Sequence, residues 1–486
     1  MVIAVDVGTT VMKAGLFSKE GRQLDQAYRR TSFLRTADPE HYEVNPDVWI
    51  AALEEAIYAL ETPRRASVEA IVVSGNGPTL VAVDGSGAVV YPAITWMDRR
   101  GVDQAAALIE ESGLDVDVSF YLAKAFWICR KRPDVYEKTK FFFSCPEYIA
   151  YHLCGDGYTI LPCPPFDKYI WTEAAIAALG MDKERFPPFI EPGAVMGGLR
   201  PSLASRLGLE TGTPIVAGGP DYLMSLVGTA TIEPGRSCDR AGTSEGIVLC
   251  SERQVVDKRL LCLPSLMPGL YTVSGVISTT GKAIEWYRTT SGYGGQSYDC
   301  FWGDVAAARA GSGALIFLPY LAGERSPLWD PHARGVFCGL TVAHSRKEMA
   351  RAVVEAVGFA MRDVLEVIAE SSFEIDALRV AGAQSKWAVL NQIKADITGR
   401  RILVPSVPDS ELLGAACIGL AAIGEFDNFA EAAGRCVQIE SEIMPDKENW
   451  SLYTDLFSQY RELYRKLKNI FEELADESRE WQRISF

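Results

Sequence analysis

The stretch PIVAGGPDYLMSLVGTA, residues 214–230, decides the fold. An apolar run ends at Gly218 and Gly219 and an apolar helix opens at Asp221, so the pattern reads as a strand feeding a helix through small residues. Such a junction leaves the carboxylate at the rim of a sheet, where the partial positive charge of the helix N-terminus favours its ionised form. An ionised acid facing a cleft can take the proton of a substrate hydroxyl, which makes Asp221 the candidate catalytic base. The alternative is an N-cap with no further role.

Outward from this junction, two other stretches share one design. VIAVDV, residues 2–7, runs into Gly8-Thr9-Thr10, and then MKAGLFS and QLDQAYRR continue as strands of a meander. Glycine allows close approach to a phosphate, the threonines add donors, Lys13 adds a cation, and Asp6 can hold Mg²⁺ through water. RSCDRAGTSEGIVLC, residues 236–250, repeats the pattern around Gly242-Thr243-Ser244. One such turn is an ordinary hairpin. Two, one in each half, imply a cleft that holds a polyphosphate.

Further turns supply candidates for the rest of the ligands. VSGVISTTGKAIEWYR, residues 273–288, enters a helix through Thr279, Thr280 and Gly281, a phosphate-compatible start. The strand-turn-helix LRVAGAQSKWAVLNQIKADITG offers small residues at Ala381, Gly382 and Ala383 against which a flat base could lie. Gly414, Ala415 and Ala416 start another small-faced helix, suited to an adenine slot or to close helix packing. Asn76 and Thr79, at a Gly-Pro break between two strands, suit a polyol or a plain turn. Trp96, Asp98 and Arg100 suit a sugar, or a salt bridge beside a core tryptophan. The last long stretch, residues 449–474, is an amphipathic helix with its stripe through Leu456, Tyr460, Leu463, Leu467 and Leu474.

Composition excludes several classes. With 486 residues the chain is long for one core and predicts two domains. A net charge of -15 argues against a nucleic-acid binder, so an anionic ligand must be met locally by backbone amides and a metal ion. The 11 cysteines form no CxxC pair, which favours reduced thiols in the cytoplasm over a zinc site or a disulfide framework. Neither a signal peptide nor a membrane-spanning run is expected, since Asp6 interrupts the first apolar run.

PYLAGERSPLWDP, residues 319–331, followed by GVFCGLTVAHSRKEMARAVVEAV, residues 335–357, resembles the C-terminal signature of the FGGY carbohydrate kinases. The resemblance runs over roughly residues 1 to 430. It implies an α/β fold of two actin-like domains, of the ribonuclease H-like hexokinase/actin superfamily, with ATP and sugar meeting in a central cleft. The implied domains are 1–218 for sugar and phosphate, 219–430 for nucleotide and the catalytic aspartate, and 431–486 as a helical tail.

Residue by residue, Asp6, Gly8, Thr9, Thr10 and Lys13 match the first phosphate motif. Asp221 matches the base, with a water-mediated part in holding Mg²⁺, and Gly242, Thr243 and Ser244 match the second phosphate motif. The adenosine motif matches at Gly382, Gln392, Ala395, Asp396, Gly414 and Ala416, and Trp96, Asp98 and Arg100 match a W-x-D-x-R element.

The departures concern specificity. Gly382-Ala383-Gln384 replaces a triple glycine, and the first family signature is partial around Lys124 and Trp127. Ser74-Gly75-Asn76-Gly77-Pro78-Thr79 stands where xylulose kinases resemble S-G-Q-M-H-G and glycerol kinases have Q-R-E, leaving Asn76, Gly77 and Thr79 as substrate-pocket candidates. The expected activity is ATP- and Mg²⁺-dependent phosphorylation of a small sugar or polyol, with a pentulose such as xylulose ahead of glycerol. The rival is a non-catalytic, nucleotide-gated sugar-binding protein on the same fold. Family habit implies a homodimer.

Overall fold

The computed structural model describes residues 1–34, 41–61, 67–113 and 117–484. Contacts divide the chain into two units. The first comprises Met1–Ile232, Pro264–Pro268 and Asp409–Val437; the second comprises Glu233–Leu263, Gly269–Pro408 and Gln438–Phe486.

The first unit is built on the meander expected at the N-terminus. Val2–Val7 is buried along its whole length, which requires apolar cover on both faces. It pairs antiparallel with Val11–Phe17, which pairs antiparallel with Gln23–Arg30. On its other side Val2–Val7 pairs parallel with Ala70–Gly75, which pairs parallel with Pro214–Pro220, and Val195–Gly198 closes the edge antiparallel. Helix Pro46–Ala59 begins at a cap, with the Asn45 side chain accepting from the Asp47 amide and Pro46 in the first turn. It supplies Trp49, Leu53 and Ile57 to the core beneath the sheet.

The second unit repeats the sequence of strand directions. Ser237–Ala241 pairs antiparallel with Glu245–Ser251, and that strand pairs antiparallel with Tyr271–Ile277. Ala377–Ala381 and Arg401–Pro405 follow in parallel, and Ile439–Ile443 closes the edge antiparallel. Leu261–Pro264 is added at the far edge. The core side is covered by helix Arg346–Glu370, which buries Val353, Val357, Met361 and Val364.

The expected break between residues 218 and 219 falls inside the first unit. Helix Asp221–Gly228 crosses helix Ser410–Ala422 backbone to backbone, and the crossing draws residues 409–437 into the same unit. A Cβ built on Gly414 would lie 1.8 Å from the Met224 carbonyl oxygen, and one on Gly228 would lie 1.9 Å from that of Ser410. Paired hydroxyls of Ser225 and Ser410, 2.7 Å apart, complete the contact. The small residues at 414–416 therefore serve close packing, and the adenine slot considered for them is filled by the partner helix.

This crossing makes a prediction whose sign is decided by magnitude. Alanine in a helix interior is favoured over glycine by roughly 0.5–1 kcal/mol, whereas overpacking against backbone that cannot rotate away costs roughly 1–3 kcal/mol. Gly414→Ala is expected to lower the thermal midpoint; an unchanged or raised midpoint would mean that the helices separate at little cost.

The C-terminal helix, Lys447–Ile484, docks on the second unit. Its buried stripe runs through Tyr453, Phe457, Tyr460, Tyr464 and Phe471. The stripe expected from the sequence runs along its edge: Tyr460 is shared, Leu456, Leu463 and Leu467 are half-buried against the same core, and Leu474 is exposed. Aromatic side chains reach further into the core than leucines one position away, so they set the docked face.

Candidate active site

Asp221 is the first residue of its helix and follows Pro220 directly at the strand end. The strand that carries it is bulged: its register against Ala70–Gly75 shifts between Ala217 and Gly219. A Cβ on Gly218 would lie 2.5 Å from the Val73 carbonyl oxygen, and Gly219 has φ 141. Only glycine fits this close approach and this backbone, and the resulting kink turns the helix start outward. Burial pushes the Tyr121 phenol and the Cys145 thiol well above their ordinary values, and the neighbouring charge of Asp221 adds to both.

Asp6 lies nearby. It is buried, accepts from the Ser74 hydroxyl at 3.3 Å and sits 4.0 Å from Lys13 Nζ. Burial pushes its carboxyl up to about 7, Lys13 opposes the shift, and Glu411 and Asp221 add to it. Lys13 also meets Asp409 at 2.9 Å and Glu411 at 3.6 Å. Burial alone would lower this ammonium, but Glu411, Asp6 and Asp409 together hold it above its ordinary value. The cation expected to meet phosphate is thus already held by three carboxylates. The turn itself is tight: the Gly8 amide donates to the Val11 carbonyl at 3.0 Å, a Cβ on Gly8 would lie 2.6 Å from that oxygen, and Trp96 Nε1 donates to the Thr9 hydroxyl at 3.0 Å. Thr10 is exposed at the tip.

Several sugar-pocket candidates prove to be framework. Asn76 donates to the Val7 carbonyl at 2.8 Å and accepts from the Thr79 hydroxyl at 2.5 Å. Asp98 binds Arg100 through both carboxylate oxygens and accepts from the Tyr42 amide, and Arg100 also meets Glu43 at 2.8 Å. Both the Asp98 and Arg100 side chains are at most 1% exposed, so neither is offered to a ligand. Arg100 lies 4.8 Å from the centre of the Trp127 ring, and buried Lys124 donates to the Pro78 carbonyl, with burial lowering its ammonium to about 7.

The opening beside Asp221 is instead a small apolar recess, lined by Tyr121, Ile160, Phe166, Trp171 and the Gly219-Pro220 turn. Glu147 also lines it, but both its oxygens are occupied by the Ser144 and Ile160 amides. Tyr121 stands over Gly77, where a Cβ would come within 2.6 Å of its hydroxyl oxygen. No local pattern points to Tyr121; its role depends on contacts far away in the sequence.

In the second unit the glycine turns converge. The Gly242 amide donates to the Ser244 carbonyl at 2.9 Å, the Lys282 amide to the Thr243 carbonyl at 3.1 Å, and Gln384 Nε2 to the Gly242 carbonyl at 2.6 Å. A Cβ on Gly281 would lie 2.1 Å from Gln384 Nε2, and one on Gly382, which has φ 86, would lie 2.2 Å from the Ala241 carbonyl oxygen. Gly242, Thr243 and Ala383 are exposed and Ser244 half-buried. The Thr280 hydroxyl and Gln384 Oε1 are buried without a hydrogen-bond partner among the described residues. The uncommitted Thr280 hydroxyl, a donor beside three glycine turns, suits a polyanionic ligand, whereas Gln384 Oε1 can only accept.

Gln392 and Asp396 are engaged elsewhere. Gln392 donates to the Met444 carbonyl at 3.0 Å, and Asp396 accepts from the Asp446 amide at 2.8 Å and Asn449 Nδ2 at 2.9 Å. These contacts tie the C-terminal helix to the second unit, and Ala395 is fully buried. Among the described residues no three His, Cys, Asp or Glu side chains form a metal cage. The carboxylate of Asp6 suits a cation that arrives with its ligand.

Two family models together cover most of the chain: the N-terminal domain of the FGGY family of carbohydrate kinases matches residues 1–228, and the C-terminal domain matches residues 240–423. A xylulose kinase of Staphylococcus epidermidis is 26% identical over 98% of both chains. A gluconokinase of Bacillus licheniformis is 27% identical, again over 98% of both. The crystal structure of ligand-bound xylulose kinase from Lactobacillus acidophilus has TM-score 0.85 and 25% identity, covering 97% of this chain and 99% of that one.

Proposed function

Because the chain belongs to the FGGY family of carbohydrate kinases, built on two actin-like domains, we propose that it moves the γ-phosphoryl group of ATP onto a hydroxyl of a small neutral sugar, a pentulose such as xylulose. The observation that carries the reading is the position of Asp221, at the end of a bulged strand and beside an apolar recess. Asp221 takes the hydroxyl proton as the oxygen bonds to phosphorus, and the bond to the β-γ bridging oxygen breaks to release ADP. Backbone amides of the Gly8-Thr10 turn, in the same unit as Asp221, meet charge on the transferring phosphate. Asp6 would hold a Mg²⁺ that arrives with the nucleotide, and the ion would offset phosphate charge and favour ionised Asp6.

The relatives include kinases of xylulose and of gluconate. A carboxylate-bearing acceptor would call for a cation at the recess, and the ionisable side chains lining it are Tyr121 and Glu147. That favours the neutral sugar. A cytoplasmic setting, with all the cysteines free, and a homodimer by family habit complete the proposal. Among the described residues no helix is long and apolar enough to cross a membrane.

The test is ADP release from ATP·Mg²⁺ across ketopentoses, aldoses, polyols, glycerol and gluconate. Stimulation by a ketopentose at least about ten times that by gluconate, in kcat/KM, is expected from one mismatched charge in the pocket. Preference for gluconate would overturn the choice of substrate, and no stimulation by any acceptor would overturn the kinase reading.

A further inference from the structure

We propose that Arg240 is the side-chain cation that meets the nucleotide phosphates in the second unit, a role that rests on the kinase reading above. Arg240 is in the strand Ser237–Ala241, two residues before Gly242, and stands in parallel register with Ala381, the residue before Gly382. It is therefore next to both glycine turns that suit the nucleotide.

Of the other basic side chains near the hairpins, Lys282 is exposed and Lys13 and Lys394 are committed. Lys13 is held by Asp6, Asp409 and Glu411. Lys394 is fully buried between Asp239 and Glu245, 2.6 Å from each. Arg240 forms no ion pair among the described residues, and its Nε is buried without a hydrogen-bond partner. A half-buried guanidinium with unused donors is unfavourable unless an anion completes it. In a chain of net charge -15, a nucleotide polyphosphate at the adjoining turns supplies that anion. The planar, multidentate guanidinium matches phosphate oxygens in a way that a backbone turn alone does not.

Nucleotide binding to the full-length protein separates this inference from the reading beneath it. Titration calorimetry with ATP, ADP and adenosine, without any sugar, is compared for wild type, Arg240→Gln, Arg240→Lys and Lys282→Gln. Lys282 is an exposed residue after Gly281 and controls for general loss of positive charge. Loss of one charge-assisted contact predicts roughly 10- to 100-fold weaker ATP and ADP binding in Arg240→Gln. Adenosine affinity should be unchanged, Arg240→Lys should fall between, and Lys282→Gln should lose less than about threefold.

Equal ATP affinity in Arg240→Gln and wild type would overturn the assignment, as would equal losses in Arg240→Gln and Lys282→Gln. A parallel loss of adenosine affinity would overturn it too, by pointing to a misplaced turn. If wild type bound no ATP at all, the kinase reading itself would fail.

Discussion

Asp221→Asn is expected to reduce sugar-dependent turnover by about 10²- to 10⁴-fold, the range that a positioned general base contributes. Asparagine has nearly the same shape as aspartate but cannot accept the hydroxyl proton. The bulge, the glycine at 219 and the crossing with helix Ser410–Ala422 remain in the variant. The folding loss should be small, because a carboxylate in the first turn of a helix contributes roughly 0.3–1 kcal/mol through the helix dipole. The loss should therefore appear in kcat, with ATP affinity retained and a thermal midpoint within a few degrees of wild type. Near-normal kcat would remove Asp221 from the chemistry; collapse of the fold would assign it to structure. Steady-state kinetics beside a melting curve decides between these outcomes.

The second large effect concerns stability. Lys394→Met leaves Asp239 and Glu245 buried without the ammonium that each meets at 2.6 Å. Removing one partner of a buried ion pair typically costs about 3–5 kcal/mol, and here two carboxylates lose the same cation. Glu245 is already pushed up to about 8 by burial and by Asp239, with Lys394 opposing. Without Lys394 the folded state favours a protonated Glu245 still more strongly.

A carboxyl whose folded pKa lies above its unfolded value binds more protons when folded, so stability falls as pH rises between the two values. For Glu245 this window runs from the ordinary 4.5 to about 8. Below about pH 8 wild type and Lys394→Met both keep Glu245 protonated when folded and lose stability in parallel, so the deficit should be nearly level between pH ~5 and ~7 and should grow as pH rises above ~8, where only the wild type ionises Glu245 beside its ammonium. Melting curves of wild type and variant below and above that point measure it. A deficit that shrinks above pH ~8, or is larger in acid, would contradict the account of the triad. The same variant should weaken nucleotide binding indirectly, since Asp239 and Glu245 flank the Gly242–Ser244 turn.

The duplication of the fold was legible in local pattern because each hairpin carries its own strand periodicity and its own turn residues. Gly8-Thr9-Thr10 and Gly242-Thr243-Ser244 each joined strands where the alternation placed them. The Asp221 junction was legible for the same reason: glycines mark the strand end and an apolar run marks the helix. What was not legible were choices made by distant partners. Asp98 and Arg100 read equally as a sugar site or a salt bridge until Glu43 and the Tyr42 amide closed the network. Gln392 and Asp396 read as nucleotide contacts by resemblance, whereas the start of the C-terminal helix occupies them. Gly414 carried two readings, and only the approach of Met224 selected one. The break near residue 218 was misplaced because a helix crossing some 190 residues away in sequence decides it.

The fate of the γ-phosphoryl group tests the central claim most directly. Phosphorus NMR of full-length protein with ATP·Mg²⁺ and xylulose, run beside Asp221→Asn, follows it without a coupling enzyme. The account predicts a sugar phosphomonoester signal that grows in step with ADP in wild type and is all but absent in the variant. ADP accompanied only by inorganic phosphate, or equal phosphomonoester formation by both proteins, would contradict it.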